Sequence, residues 1–151
     1  MIDEESRLNL DLDRPAVAEF LLEHGGELFH RTTGDEQDPD GVYWLSLRPR
    51  VAPTEMYVAR IAWSRYPQAP PSVKFADRVG GSLGVTKAWP AIAGYRPGNF
   101  DICKPFTAEG FALHAEWRSG PHAWSLSGNP FLWVVSQLQD DLNDRYLGRA
   151  S

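Results

Sequence analysis

The feature that most constrains the fold is a proline-rich bend between two segments that alternate like β-strands. Residues 65–75 read RYPQAPPSVKF, and three prolines lie in the first seven positions, at Pro67, Pro70 and Pro71. Proline has no N–H donor and a fixed φ, so these residues cannot extend a strand ladder. They set one rigid turn at little entropy cost. The bend therefore predicts two consecutive strands whose relative direction is fixed by a stiff connection.

The sequence on both sides of the bend predicts a four-stranded antiparallel meander. Strands rich in β-branched and aromatic residues, joined by short links, favour this arrangement. The four predicted strands are ELFHRTT at 27–33, VYWLSLRP at 42–49, MYVARIAWS at 56–64 and SVKFAD at 72–77. The third strand alternates cleanly, with Met56, Val58, Arg60 and Ala62 on one face and Tyr57, Ala59, Ile61 and Trp63 on the other.

A helix is predicted before the sheet, at 14–24. Asp13 is its expected cap and Pro15 lies in its expected first turn, where proline is well tolerated. The preceding segment, 1–13, is acidic and only weakly apolar, which predicts a flexible start to the chain.

A second helix is predicted after the sheet, at 130–146, with Asn129 as cap and Pro130 in the first position. Its apolar residues form one stripe: Phe131, Val134, Val135, Leu138, Leu142 and Tyr146. Residues 79–128 show no sustained period, which predicts a long irregular region of the kind that often carries function. A chain of 151 residues with these elements predicts one α+β domain, its helices covering one face of the sheet.

Composition excludes several classes of function. The net charge is −5 and the basic residues are scattered, which argues against nucleic acid as a partner. No apolar run reaches the ~18 residues of a membrane span, and no signal-peptide pattern opens the sequence. Cys103 is the only cysteine and cannot form an internal disulfide, which favours a cytoplasmic protein. No metal-ligand spacing or phosphate-binding loop is present, so neither a metal nor a cofactor is expected.

The proline bend resembles a segment of the ubiquitin-conjugating enzymes, Tyr-Pro-x-x-Pro-Pro-x-Val-x-Phe. The resemblance extends over residues 14–147 and implies the UBC-like fold: an N-terminal helix, a four-stranded meander, a long active-site region and a C-terminal crossover helix. The matched positions in the bend are Tyr66, Pro67, Pro70, Pro71, Val73 and Phe75.

The same resemblance assigns a role to Cys103. The stretch NFDICKPF is similar to the family's Gly-x-Ile-Cys-Leu-Asp, in which the cysteine carries a ubiquitin-like protein as a thioester. It implies three partners: an activating enzyme, the ubiquitin-like protein and a target that supplies an amine. The short, divergent form resembles the bacterial members, several of which act in defence against phage.

The chain departs from the family where His-Pro-Asn is expected, since Trp89–Ala91 stand there instead. Three other residues are candidates for the missing chemistry. Asn99 carries an amide that suits an oxyanion, and Asp101 carries a carboxylate that suits a lysine ammonium. His114 is a candidate general base, preferred over His122 for its apolar surroundings.

A non-catalytic function is the alternative. Cysteine-free ubiquitin-conjugating variants and RWD domains share the fold and act as protein-binding modules, and RWD domains also contain a proline bend. The missing asparagine favours the binding module, whereas Cys103 in its Asp-Ile-Cys setting favours the enzyme.

Overall fold

The computed structural model describes residues 2–151 and has the expected α+β architecture. An N-terminal helix precedes a four-stranded sheet, and a C-terminal helix follows an intervening region of short elements. The helices are α1 (Glu4–Glu23), α2 (Ala108–Leu113) and α3 (Pro130–Asp144). The strands are β1 (Glu27–Phe29), β2 (Val42–Leu47), β3 (Tyr57–Ala62), β4 (Ser72–Ala76), β5 (Tyr95–Arg96) and β6 (Asp101–Ile102).

The main sheet has the strand order β1-β2-β3-β4 and is antiparallel throughout, which confirms the predicted meander. Ile61 in β3 lies opposite Tyr43 in β2 and Val73 in β4. Of the two alternating faces of the third strand, the structure turns one toward the core, since its four residues are all buried: Tyr57, Ala59, Ile61 and Trp63.

The strands end earlier than predicted, most clearly at β1. The predicted strand 27–33 stops at Phe29 because the chain then turns into a loop held by Asp38. The Asp38 carboxylate accepts the Arg31 backbone N–H at 2.7 Å, pairs with the Arg31 guanidinium, and accepts the Trp44 indole N–H at 2.9 Å. The bond to the Arg31 N–H satisfies a backbone donor that a longer strand would have paired with its neighbour.

Helix α1 begins ten residues earlier than predicted, so the expectation of a flexible segment at 1–13 is wrong. Met1 lies outside the described residues. Asp3, not Asp13, is the cap, and its carboxylate accepts the Ser6 N–H at 2.7 Å. Pro15 therefore lies inside the helix. The early start is explained by burial, because the stripe that faces the core begins in the first turn: Ser6, Leu10, Val17 and Leu21.

Helix α3 follows its prediction and ends at Asp144, two residues early. The five residues of its predicted apolar stripe that lie within the helix are fully buried against the sheet and α1: Phe131, Val134, Val135, Leu138 and Leu142. Tyr146 lies beyond the helix, where its hydroxyl contacts that of Tyr57 at 2.6 Å. The core thus lies between the inner face of the sheet and the two long helices.

The proline bend connects these layers through Tyr66, which is almost fully buried. Its backbone N–H donates to the Ser6 hydroxyl at 3.0 Å, and its own hydroxyl donates to the Asp13 carboxylate. The same hydroxyl accepts the Phe131 N–H at 3.1 Å. Tyr66 therefore joins α1, the bend and the first turn of α3.

Two proline carbonyls of the bend hold the region that was predicted to be irregular. The Pro71 carbonyl accepts the N–H of Ala108 at 2.8 Å, at the start of α2. The Pro67 carbonyl accepts the indole N–H of Trp124, also at 2.8 Å. The bend thus serves as an anchor for the segment between α2 and α3, in addition to joining two strands.

Residues 79–128 contain more regular structure than predicted. A two-stranded hairpin pairs β5 with β6, α2 follows, and three short 3₁₀ turns occur at Thr86–Ala88, Pro97–Asn99 and Ala115–Arg118. Elements of two to six residues are too short to produce a visible hydrophobic period. Across residues 2–151, no helix combines the length and the apolarity that crossing a membrane requires.

Candidate active site

Cys103 lies on a well-anchored segment, residues 94–107, which we call the nucleophile arm. Its backbone N–H donates to the Gly94 carbonyl at 2.7 Å, and the preceding Ile102 is fully buried in the core. The buried Thr107 hydroxyl donates to the Ile102 carbonyl at 2.5 Å and accepts the Gly110 N–H at 3.0 Å. The Cys103 side chain itself belongs to a residue of intermediate exposure, so the thiol is positioned by the core while remaining accessible.

Helix α2 packs directly on the backbone next to Cys103. A Cβ atom at Gly110 would lie 2.1 Å from the Lys104 carbonyl oxygen, so only glycine permits this approach. Because α2 ends at Leu113, the close packing brings the next residue, His114, back toward the cysteine.

The Cys103 sulfur lies 3.2 Å from His114 Nε2, within hydrogen-bond reach. On the other side of the ring, His114 Nδ1 lies 2.8 Å from a Glu116 carboxylate oxygen. An ionised carboxylate only accepts hydrogen bonds, so Nδ1 carries the proton and Nε2 is free to accept one from the thiol. A nucleophile, a base and a group that orients the base therefore stand in sequence, which is the arrangement of covalent acyl-transfer catalysts.

Glu116 is ionised in this arrangement. The hydrogen bond from His114 lowers the pKa of the Glu116 carboxyl below its ordinary value, although the side chain is well exposed. The carboxylate therefore keeps its orienting role through the neutral pH range.

The base is held mainly by aromatic contacts on residues 113–124, which we call the base arm. The Trp117 ring stacks on the His114 imidazole with centroids 4.1 Å apart and planes 18° from parallel. Trp117 also meets Phe111 at 6.0 Å and His122 at 5.6 Å. A tryptophan face stabilises a cation above it, so this stack favours the protonated imidazole that appears when the thiol gives up its proton.

Asp101 is held by a neighbouring arginine. Its two carboxylate oxygens accept from Arg96 Nε at 2.8 Å and from the terminal nitrogen Nη2 at 2.7 Å. The hydrogen bonds that Arg96 donates to the Asp101 carboxylate raise the pKa of Arg96, and a thiolate at Cys103 would raise it further. Arg96 thus places a positive charge near the thiol, while the predicted role of Asp101, binding a lysine ammonium, stays a prediction.

Asn99 is exposed at the end of the 3₁₀ turn Pro97–Asn99. Within residues 2–151 its side chain makes no hydrogen bond to Cys103 or His114, and its predicted oxyanion role stays a prediction. Trp89–Ala91, which stand where the resemblance expects His-Pro-Asn, pair through their backbone with residues 147–150, and Trp89 is fully buried. This segment is part of the core and offers no side-chain amide.

Two residues of the site were not predicted from the sequence: Glu116 and Arg96. The His-x-Glu spacing of residues 114–116 was the available signal for the first. No sequence signal marked Arg96, because its partnership with Asp101 depends on the β5–β6 hairpin. Within residues 2–151, no group of three or more His, Cys, Asp or Glu side chains is placed to hold a metal ion.

A cavity of about 370 Å³ opens next to the nucleophile arm. It lies between the residues that follow Cys103, the base arm and the outer side of α3. Its lining mixes basic and aromatic side chains with one acid: Lys104, Phe106, His122, Trp133, Asp141 and Arg145. The cavity borders Lys104 and Pro105, the two residues that follow Cys103, whereas Cys103 and His114 are not among its lining residues.

Comparison with known proteins identifies no relative for this chain. Neither protein-family models, nor curated proteins, nor solved structures give a match.

Proposed function

We propose that this chain is a ubiquitin-conjugating-like transferase that carries a ubiquitin-like protein as a thioester on Cys103. The order of an N-terminal helix, an antiparallel meander with the proline bend before β4, and a C-terminal helix supports a UBC-like fold. The position of the cysteine, in an accessible loop region after β4, supports the carrier role.

The observation that carries the proposal is the contact of Cys103 with His114, backed by Glu116. A structural cysteine in a binding module needs no base beside it, and a buried one is inert. Here the thiol is accessible and the base is oriented by a carboxylate. The geometry thus favours the enzyme over the RWD-like module.

The chemical step follows from these positions. The Cys103 thiol transfers its proton to His114 Nε2, and the sulfur attacks the thioester carbonyl presented by the activating enzyme. The new C–S bond forms as the old one breaks, and the departing thiolate recovers the proton from His114. One thioester replaces another at almost no thermodynamic cost. In the second half-reaction an amine of the target attacks the carbonyl and Cys103 leaves as the thiolate.

The biological setting belongs to the same proposal. The partners are a ubiquitin-like protein, its activating enzyme and a target protein, as in the bacterial conjugation systems that act against phage. The exposed surface of α1 is rich in acidic residues, and its Arg7 is already paired with Glu4 at 3.8 Å and Asp11 at 3.5 Å. An activating enzyme that docks on α1 would therefore need a neutral or basic surface.

The test is a charging reaction with the activating enzyme, the ubiquitin-like protein and ATP, followed on a non-reducing gel. We expect a reducible adduct with the wild-type chain and none with Cys103→Ala. Cys103→Ser should trap an oxyester, since serine keeps an acylable oxygen but is a poorer leaving group. His114→Asn should slow charging by roughly 100-fold, whereas His24→Asn, at the exposed C-terminal end of α1, is the matched control and should leave it unchanged.

The binding-module alternative makes the opposite claim. It is supported if the chain never charges and Cys103 resists alkylation in the folded protein. Loss of charging in Cys103→Ala together with normal charging in His114→Asn would keep the carrier role but remove the base from the mechanism.

A further inference from the structure

We infer that Cys103, His114 and Glu116 also discharge an acyl thioester to hydroxyl nucleophiles, water included, so that the chain has a thiol-esterase activity of its own. The inference shares its acyl-cysteine intermediate with the proposed function. It requires neither an activating enzyme nor a ubiquitin-like protein.

Acylation of Cys103 leaves the His114 imidazole free to act on a second reactant. Once the Cys103 sulfur carries an acyl group, it has no proton to give to His114. The imidazole Nε2, 3.2 Å from the sulfur in the free chain, then lies close to the acyl carbon, which is bonded to that sulfur. A nucleophile that approaches this carbon comes within reach of the same nitrogen, and microscopic reversibility lets the base of the first step serve the second.

The base beside the thioester determines which class of nucleophile can accept the acyl group. A neutral amine attacks a thioester without a general base, so His114 is needed for activating the Cys103 thiol during charging but not for discharge to an amine. A hydroxyl group or water is a weak nucleophile unless its proton is removed during the attack, and histidine is the side chain best suited to remove it. An oriented histidine at the thioester therefore widens the acceptors from amines to hydroxyls.

Transfer of the acyl group from Cys103 to a hydroxyl acceptor requires no further reagent. The O–H bond of the acceptor breaks and its proton goes to Nε2, while the C–O bond forms and the C–S bond breaks. The imidazolium is stabilised by the ionised Glu116 and by the Trp117 face. It then returns the proton to the departing Cys103 sulfur, and the products are a carboxylic acid or an ester and the free thiol.

Exposure allows water to take part. The His114 side chain is 36% exposed and that of Glu116 is 68% exposed, so the base faces solvent directly. The other charged groups near the thiol, the Arg96–Asp101 pair and the side chain of Lys104, leave the imidazole free, because Arg96 is bound to Asp101.

The experiment uses p-nitrophenyl acetate, which acylates a reactive thiol without any partner protein. We expect the wild-type chain to release one equivalent of p-nitrophenolate in a burst and then to turn over. Intact-mass spectrometry then follows the lifetime of acetyl-Cys103, with and without added glycerol as a hydroxyl acceptor. His114→Asn is loaded at alkaline pH, where the thiol ionises by itself, and returned to neutral pH before its lifetime is measured.

The expected result is an acetyl-cysteine that lives roughly 100-fold longer in His114→Asn than in the wild type. His24→Asn, at the exposed C-terminal end of α1, is the control and should match the wild type. Glu116→Gln should fall between, and glycerol should accelerate discharge only where His114 is present. Circular dichroism confirms that each variant is folded.

The inference is overturned if acetyl-Cys103 has the same lifetime in wild type and His114→Asn, or if the folded wild-type chain is not acetylated. The two proposals fail separately. A chain that charges with a ubiquitin-like protein but shows equal acetyl lifetimes loses only the esterase activity. A chain that turns over the acetyl ester but never charges loses only the carrier role.

Discussion

The nucleophile arm and the base arm meet at one sulfur–nitrogen contact but are held by different forces. Within the nucleophile arm, the buried Thr107 hydroxyl donates to the Ile102 carbonyl and the Cys103 N–H donates to the Gly94 carbonyl, and Ile102 fixes the arm in the core. The base arm is largely exposed, and the stack of Trp117 on His114 is its main contact near the site. Stability and reactivity are therefore carried by different parts of the molecule.

This difference has a physical consequence. Buried hydrogen bonds are costly to break, so the position of the thiol should vary only when the fold itself is disturbed. Exposed aromatic contacts are weaker, so the position of the base can change while the fold persists. Variants along the two arms should separate these effects.

The largest effect is expected where the arms join, at Gly110. In Gly110→Ala the new Cβ would lie 2.1 Å from the Lys104 carbonyl oxygen, which forces α2 away from the nucleophile arm. We expect a loss of about 2 kcal/mol in the free energy of unfolding, measured by urea denaturation. Alkylation of Cys103 by iodoacetamide should also slow, by roughly 100-fold, since the base is displaced.

Gly98→Ala is the matched control for that substitution. Gly98 lies in the exposed turn before Asn99, and nothing lies within 4 Å of a Cβ built there. Its stability and alkylation rate should equal those of the wild type. Normal alkylation in Gly110→Ala would mean that α2 does not position His114.

A smaller effect, confined to reactivity, is expected on the base arm. Trp117→Ala removes the face that stabilises the protonated His114, so alkylation of Cys103 at neutral pH should slow by roughly 5-fold. The free energy of unfolding should change by less than about 1 kcal/mol, because the residue is only partly buried. Trp117→Phe keeps an aromatic face and should recover most of the rate.

The expectation for Trp117 is contradicted if Trp117→Ala loses as much stability as Gly110→Ala. The base arm would then be part of the cooperative core, and the separation of the two arms would be wrong.

The same division explains what the sequence could predict. The proline bend, the alternation of the β3 residues and the apolar stripe of α3 are local patterns with strong physical causes, and they predicted the sheet and the C-terminal helix. The start of α1 was missed because Ser6 is buried by a hydrogen bond to the bend sixty residues away, which no local period reveals.

At the site, Cys103 and His114 were predicted individually, but their contact was not. It depends on the approach of α2 to the Lys104 backbone and on the Pro71 carbonyl that holds Ala108. Glu116 had a local signal in its His-x-Glu spacing, whereas Arg96 had none, because the fold alone brings it to Asp101.

The smallest effect is expected from a buried carboxylate behind the nucleophile arm. Asp141 on α3 accepts the Tyr95 hydroxyl of β5 at 2.8 Å. Burial raises the pKa of Asp141 above its ordinary value of 3.8, against the opposing effects of Tyr95 and Arg145. The folded state thus holds this proton more tightly than the unfolded state. The contribution of protonated Asp141 to the free energy of unfolding is fully present below pH 3.8 and is lost as the pH rises through the raised pKa.

Asp141→Asn should remove this dependence, because an amide oxygen still accepts the Tyr95 hydroxyl but does not titrate. Urea denaturation of both proteins across the acidic range measures it. The stability of the variant relative to the wild type should rise with pH in that window and stay constant above it.

Because Asp141 supports the nucleophile arm rather than the base arm, the alkylation rate of Cys103 at neutral pH should be nearly the same in both proteins. A relative stability that falls with pH would mean that Asp141 is stabilised as the ion in the folded state, and that its pair with Arg145, at 3.5 Å, outweighs its burial.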